Sequence, residues 1–319
     1  MAHVSSPKTL QQAIVYFSNP DTCLAEMVKF RWPDGTVKCP TCGSEKVSFL
    51  RSRRLWECSE KHAKRQFSVK VGTVMEDSAI GLDKWLVAMW LISNAKNGIS
   101  SYELARSIGV TQKSAWFMLH RIRLAMQDET GGKIGGDVEV DETYIGGRAR
   151  FMHKGRKKRI ISGTGMAGKI AVMGLLARHG SDGHSTMRVA VVPNNRKAPL
   201  QGKVRQHVAA GANVYTDAHL SYEGLSRDYV HQVIDHAEAY VDGQVHTNGC
   251  ENFWSLLKRA LKGTYVSVEP FHLFRYLDEQ AFRFNRRKLT DAARFALTAG
   301  AVFGKRLTFA QLTAADTTC

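Results

Sequence analysis

Apolar positions early in the chain, among them Leu10, Ile14, Phe17, Leu24 and Met27, recur at roughly helical spacing and predict a partly helical N-terminal segment, residues 1–31. From Trp32 to Val74 the pattern shortens to strand-like runs around three cysteines, which delimits a small β-rich module over 32–76. Helical patterning returns from Asp83 to Met126, broken at Asn97-Gly98 and again at Gly109, and defines an all-α domain over 82–127. The segment DETGGKIGG that follows has four glycines in nine residues and little to bury, so 128–136 reads as a linker.

Beyond the linker, β-rich runs occupy Asp137 to Ile145, Lys169 to Arg178, Thr186 to Val192, Asn213 to Thr216 and Val230 to Ile234. Helical segments lie near 199–209, 247–262 and from 270 onward. Three strands in succession, then alternating helices and strands, imply a mixed sheet flanked by helices. The fold class is multidomain: a small β module and an all-α domain, then an α/β domain over 137–298 and a C-terminal tail at 299–319.

Hydrophobic residues at 44% and charged residues at 23% are ordinary globular values, which excludes a wholly disordered, collagenous or coiled-coil chain. A net charge of +16 makes the surface field positive, and nucleic acid is the leading partner for such a field. The longest apolar runs, Trp85 to Ile92 and Ile170 to Ala177, have eight residues, too few for a bilayer span, so no membrane anchor is expected. The N-terminus lacks a basic region ahead of a long apolar stretch, and a cytoplasmic location is expected. Six cysteines are too few for a disulfide framework, and three of them crowd one segment, which suggests metal.

Cys39-Pro-Thr-Cys42 is followed by Cys58 and, four residues on, by His62. Two chelating pairs separated by a loop can converge on one tetrahedral ion, and thiolate and imidazole both suit zinc. One structural Zn²⁺ on Cys39, Cys42, Cys58 and His62 is expected; four ligands leave no open position for catalysis, and so small a module needs the metal for stability. His62 is the weakest of the four, because Lys61, Lys64 and Arg65 also suit a solvated basic loop.

Ser101 to Trp116 reads as two short helices with a sharp turn. Ala105 is small where the helices cross, Gly109 takes the corner and Thr111 caps the second helix. Docked on DNA, the second helix places Gln112, Lys113 and Ser114 near base edges, with Lys113, Arg121 and Arg123 adding phosphate contacts. An ordinary helical hairpin with solvated cations is the alternative.

Acids stand at three places in the α/β region: Asp141 within a strand, Asp217 at the end of another, and Glu251 opening a helix. Alternation puts Glu139 on the same strand face as Asp141, with Asp137 and Glu142 nearby, and pattern alone does not choose among them. Glu251 also follows Asn248 at capping-box spacing, so a purely local role is open to it. Around that helix Glu251, Ser255, Lys258 and Lys262 form one polar stripe opposite Phe253, Trp254, Leu256, Leu257, Ala260 and Leu261.

The motifs CPTC, FSVKVGTVMEDS, ISSYELARSIGVTQKSAWFMLHRIR, DVEVDETYIGG, VYTDAHLSYEGL, HTNGCENFWSLLKRALKGTYVSV and RYLDEQAFRFNRR occur in family order. Together they resemble the ISXO-type insertion-sequence transposases of bacteria, from about residue 25 to residue 290. The resemblance implies a zinc ribbon at 32–76, a helix-turn-helix domain at 82–127 and a ribonuclease-H-like DDE catalytic domain at 137–298. It also implies a catalytic triad of Asp141, Asp217 and Glu251, with Lys258 as the associated basic residue that contacts the scissile phosphate. Two Mg²⁺ ions per active site, for which Mn²⁺ can substitute, then serve cleavage and 3′-hydroxyl strand transfer. One departure is that the second half of the family's knuckle reads Cys-x-x-Cys, where this chain has Cys58-Ser-Glu-Lys-His62.

Basic stretches fit DNA backbones. Arg148 to Arg159 holds seven cations in twelve residues, including Arg156, Lys157, Lys158 and Arg159. Lys262, Arg286 and Arg287 supply others, the last two in a run expected on the final helix. Solvated surface charge is the competing explanation for both stretches. The expected partners are terminal inverted repeats, target DNA and at least one further copy of the chain on that DNA, in a nucleoid-associated protein. The rival functions are a catalytically inert, domesticated DNA-binding protein and a metal-dependent nuclease without strand transfer.

Overall fold

The computed structural model describes residues 6–127, 131–146, 154–155, 169–179, 183–234 and 246–314. In chain order, α1 (Leu10–Tyr16) and α2 (Pro20–Arg31) precede β1 (Val47–Leu50), β2 (Leu55–Cys58) and β3 (Gln66–Phe67). Next come α3 (Leu82–Asn94), α4 (Ser101–Ile108) and α5 (Gln112–Met126), then β4 (Asp137–Gly146), β5 (Lys169–Ala177) and β6 (Thr186–Val192). The remainder is α6 (Lys197–His207), β7 (Asn213–Asp217), β8 (Val230–Ile234), α7 (Asn248–Ala260), α8 (Leu273–Asn285), α9 (Asp291–Gly300) and α10 (Phe309–Thr313). Among the described residues two units result: those up to Gln127 together with 286–314, and those from 131 to 285.

In the first unit, β1, β2 and β3 pair antiparallel, and Trp56 gathers Trp32, Phe49 and Phe67 into a small aromatic core. This is the expected ribbon. The all-α part is built on α3, whose Trp85, Leu86, Met89, Trp90 and Ile92 are all buried because helices pack around it. One of these helices is α9. Its Phe295 packs on Phe17, Phe30 and Trp90, Thr298 shares a hydroxyl hydrogen bond of 2.8 Å with Ser93, and Arg294 donates to Asn94. The expected boundary at 298 therefore moves: residues from Arg286 on leave the α/β unit, and the expected tail contains α10. The physical reason is the apolar surface of α3, which the chain must return to cover.

The second unit holds one mixed sheet in the order β6-β5-β4-β7-β8. Strands β4, β5 and β6 are antiparallel neighbours, whereas β4–β7 and β7–β8 are parallel. One face packs Val138, Val140 and Val214 against Leu200 and Val204 of α6; the other packs Val172 and Leu176 against Phe253, Leu257 and Leu277 of α7 and α8. Helices on both faces of this sheet give the ribonuclease-H-like α/β layout expected. The end of the expected linker is not free: Ile134 accepts from Ala209 N–H and donates to the His207 carbonyl, which ties it to this unit.

Candidate functional site

Two centres arise, one in each unit. In the first, the turn after Cys39 closes by Gly43 N–H donating to the Cys39 carbonyl, and β2 delivers Cys58 from the opposite side. The ligand atoms of Cys39, Cys42, Cys58 and His62 lie within 4.8 Å of one another. Cys39 Sγ is 3.4 Å from His62 Nε2, and Cys42 Sγ is 3.6 Å from Cys58 Sγ. His62 Nδ1 lies 2.7 Å from the Ala63 carbonyl; since a carbonyl only accepts, Nδ1 carries the proton and Nε2 offers its lone pair to the cluster. Burial opposes ionisation of Cys39, but hydrogen bonds from the Cys42 and Thr41 backbone and from neighbouring thiols outweigh it and bring the thiol down to about 7. This Cys₃His set fits one structural zinc, with His62 in the position that spacing made weakest.

The α4–turn–α5 motif follows its local signals. Gly109 closes α4 in the left-handed conformation, at φ 62°, and Thr111 Oγ1 accepts from Ser114 N–H to cap α5. Lys113 is exposed, with Nζ 5.1 Å from the Phe309 ring, while Gln112 and Ser114 are partly buried and bonded to Ser101 and Thr111. Arg121 and Arg123 do not serve as surface phosphate contacts, because both are buried. Arg121 donates instead to the Leu307 and Glu76 carbonyls and stacks on Phe117. Lys262, Arg286 and Arg287 are exposed. Arg286 and Arg287 lie beyond the end of α8, not on a final helix, and Arg283 is buried against Glu279 and Gln280. Arg156, Lys157, Lys158 and Arg159 fall outside the described residues.

In the second unit, β4 and β7 run parallel with Glu139 opposite Tyr215. Asp141 and Asp217 each lie two residues beyond that last paired position, on neighbouring parallel strands. Glu251 lies in the first turn of α7, which packs on β4 and β5. Burial, reinforced by the charges of Asp217 and Glu251, raises the Asp141 carboxyl to about 6 against hydrogen bonds from Trp254 and the Glu142 backbone. The three acids thus share one electrostatic neighbourhood. They do not form a closed cage: the one donor cluster tight enough to enclose a metal among the described residues is the Cys₃His set. Three carboxylates repel one another, and Glu251 extends into solvent. Their oxygen donors fit a hard divalent cation.

The ambiguity along β4 is resolved by partners. Glu139 is buried, accepts from Arg178 Nε at 2.7 Å and from Cys250 N–H at 3.0 Å, and lies close to His246. Its charge is committed inside the protein. Glu142 faces the other side of the sheet, hydrogen-bonded by the Tyr222 hydroxyl; burial first, then the charges of Asp217 and Asp141, raise it to about 7. The N-cap of α7 is Thr247, not Asn248, so the capping-box role open to Glu251 is not taken. Glu251 and Ser255 are exposed and Lys258 half-buried on the polar stripe, with Phe253, Trp254 and Leu257 buried opposite.

Sequence reasoning missed two polar partners near Asp141. Trp254 Nε1 donates to Asp141 Oδ2 at 2.8 Å, and Tyr222 reaches Glu142. On the helical wheel Trp254 falls on the apolar side, although an indole N–H requires an acceptor when buried. Residues 133–285 match the ISXO2-like transposase domain, and residues 18–62 match the transposase zinc-ribbon domain. The chain is 30% identical over 287 residues to an uncharacterized protein in transposable element ISH50 of Halobacterium salinarum, covering 85% of this chain and 92% of that protein. It is also 33% identical over 100 residues to an uncharacterized transposase-like protein of Haemophilus influenzae, covering 31% of this chain and 80% of that protein. With the ribbon, the mixed sheet and these matches in agreement, the chain belongs to the ISXO2-like transposase family.

Proposed function

We propose that the chain is a DNA strand-transfer recombinase that binds the terminal inverted repeats of an insertion sequence, cleaves at the transposon end and joins the freed 3′-hydroxyl to target DNA. In this reading Asp141, Asp217 and Glu251 hold two Mg²⁺ ions and Lys258 contacts the scissile phosphate. The observation that supports it is that Asp141 and Asp217 sit on adjacent parallel strands, each two residues past the last paired position, with the charges of Asp217 and Glu251 both felt at Asp141. When bound, Mg²⁺ supplies activation of the attacking oxygen and stabilisation of the leaving one. The chain's own groups position the DNA. Lys258 lies two turns along α7 from Glu251, about 10 Å, a span that lets one helix face meet both the metal site and a flanking phosphate.

Recognition falls to the zinc ribbon and the α4–turn–α5 motif, with Gln112, Lys113 and Ser114 at the start of α5 as base readers. Lys262, Arg286 and Arg287, with Arg156 to Arg159, grip DNA backbones. Synapsis of two ends requires at least two copies of the chain on DNA, and the reaction places the protein with the nucleoid in the cytoplasm. Among the described residues no helix is long and apolar enough to cross a membrane.

The deciding experiment incubates purified protein and Mg²⁺ with DNA carrying the terminal repeats of its element. Nicking at the repeat ends and joining to a plasmid are expected, and Asp217→Asn is expected to lower both by at least about a thousandfold while sparing DNA binding. Cleavage without joining favours the nuclease, and binding without cleavage the inert regulator.

A further inference from the structure

Resting on that reading of Asp141, we propose that Trp254 is a positioning residue: its indole N–H holds the Asp141 carboxylate in the orientation that receives a divalent cation, and Gly174 provides the space it needs. Trp254 Nε1 lies 2.8 Å from Oδ2, and the Glu142 backbone N–H lies 2.8 Å from Oδ1. Each carboxylate oxygen is thus fixed by one donor and keeps a lone pair for another ligand. Rotation of the group in either direction breaks a bond.

The space for the indole is set by strand register. Gly174 on β5 is the cross-strand partner of Asp141, and a Cβ there would stand 2.7 and 2.9 Å from Trp254 Cζ2 and Cη2. Any side chain at 174 pushes the indole off its site. Trp254 is also three residues after Glu251, on the inner side of the same helix, so one hydrogen bond links the strand of the first acid to the helix of the third. Outer groups that orient a metal ligand are typically worth about tenfold to a hundredfold in metal affinity.

The test uses the full-length, zinc-loaded protein without DNA, and Mn²⁺ as the probe. Mn²⁺ affinity and thermal midpoint are measured for wild type, Asp141→Asn and Trp254→Phe, which keeps the ring and removes the N–H. Mg²⁺ dependence of repeat cleavage is followed alongside. Trp254→Phe is expected to weaken Mn²⁺ binding about tenfold to a hundredfold and to shift half-maximal cleavage to higher Mg²⁺, with much of the rate recovered at saturation. A structural role alone would lower the thermal midpoint and leave Mn²⁺ affinity of the folded protein unchanged. Should Trp254→Phe not fold, benzothienylalanine introduced at position 254 keeps the bicyclic shape without the donor, and the same loss is expected. Wild-type Mn²⁺ affinity in a folded variant lacking the N–H overturns the proposal, provided Asp141→Asn has lost binding. Wild-type affinity in Asp141→Asn overturns the metal-site reading itself.

Discussion

The backbone N–H of Cys250 is held 3.0 Å from Oε2 of Glu139, so an acid on the central strand supplies the cap that Thr247 does not provide to α7. Gly249 permits the approach, since a Cβ there would meet the same carboxylate at 2.9 Å. The other oxygen faces Arg178, itself buried over the Tyr215 ring. Two acids on one strand face are therefore used in opposite ways. Glu139→Gln is expected to destabilise the fold by about 3–5 kcal/mol, because it leaves Arg178 uncompensated. Asp141→Asn is expected to leave the protein as stable as wild type or more so, since it removes a charge that burial and two neighbours disfavour. Denaturant titration of both variants checks the contrast, and equal losses would contradict it.

Metal analysis of the purified chain should give about one zinc. Cys39→Ser combined with Cys42→Ser is expected to lose it and to unfold the ribbon, which depends on the ion for stability. His62→Cys is expected to retain zinc by converting the set to four thiolates. Zinc content unchanged in the double variant would remove the assignment.

The two kinds of cation on α5 predict different failures. Lys113→Ala is expected to weaken binding to terminal-repeat DNA and to lower the slope of log K against log salt by about 0.9. Arg121→Ala is expected to cost about 1–3 kcal/mol of stability, because the Leu307 and Glu76 carbonyls lose their donor. Binding isotherms across salt, paired with thermal melts, separate the two; an unchanged salt slope in Lys113→Ala would count against its phosphate contact.

The acids near Asp217 also set a pH response. Burial and neighbouring charge raise Asp141 from an ordinary 3.8 to about 6 and Glu142 from 4.5 to about 7. Across those intervals the folded state binds more protons than the unfolded one. The stability they confer is whole at lower pH and is lost as pH rises through 6 and 7. Without divalent cations, Glu142→Gln is expected to show a smaller fall in thermal midpoint between pH 5 and pH 8 than wild type. Superimposable pH curves would refute this.

What was legible in the chain was what neighbours in sequence decide. Gly109 and Thr111 shape the corner between α4 and α5 through their own dihedrals and side chains, and runs of β-rich composition located β4 to β8 almost to the residue. Decisions made by remote partners were not legible. Arg121 is buried because Leu307, 186 positions away, offers a carbonyl, and no feature of α5 announces that. Glu139 and Asp141 became distinguishable only once Arg178, 39 positions from Glu139, took one of them. The attachment of α9 to α3 rests on pairs such as Ser93 and Thr298, separated by 205 positions.

That last attachment has a consequence for biosynthesis. The α/β unit is spliced into the middle of the first one, so Trp90 emerges from the ribosome long before Phe295 can cover it. Until Asp291–Gly300 has been made, the nascent helical portion lacks that cover for Trp90. A chain that stops between residues 285 and 291 contains all five strands of the second unit but lacks the helix that covers Trp90 in the first.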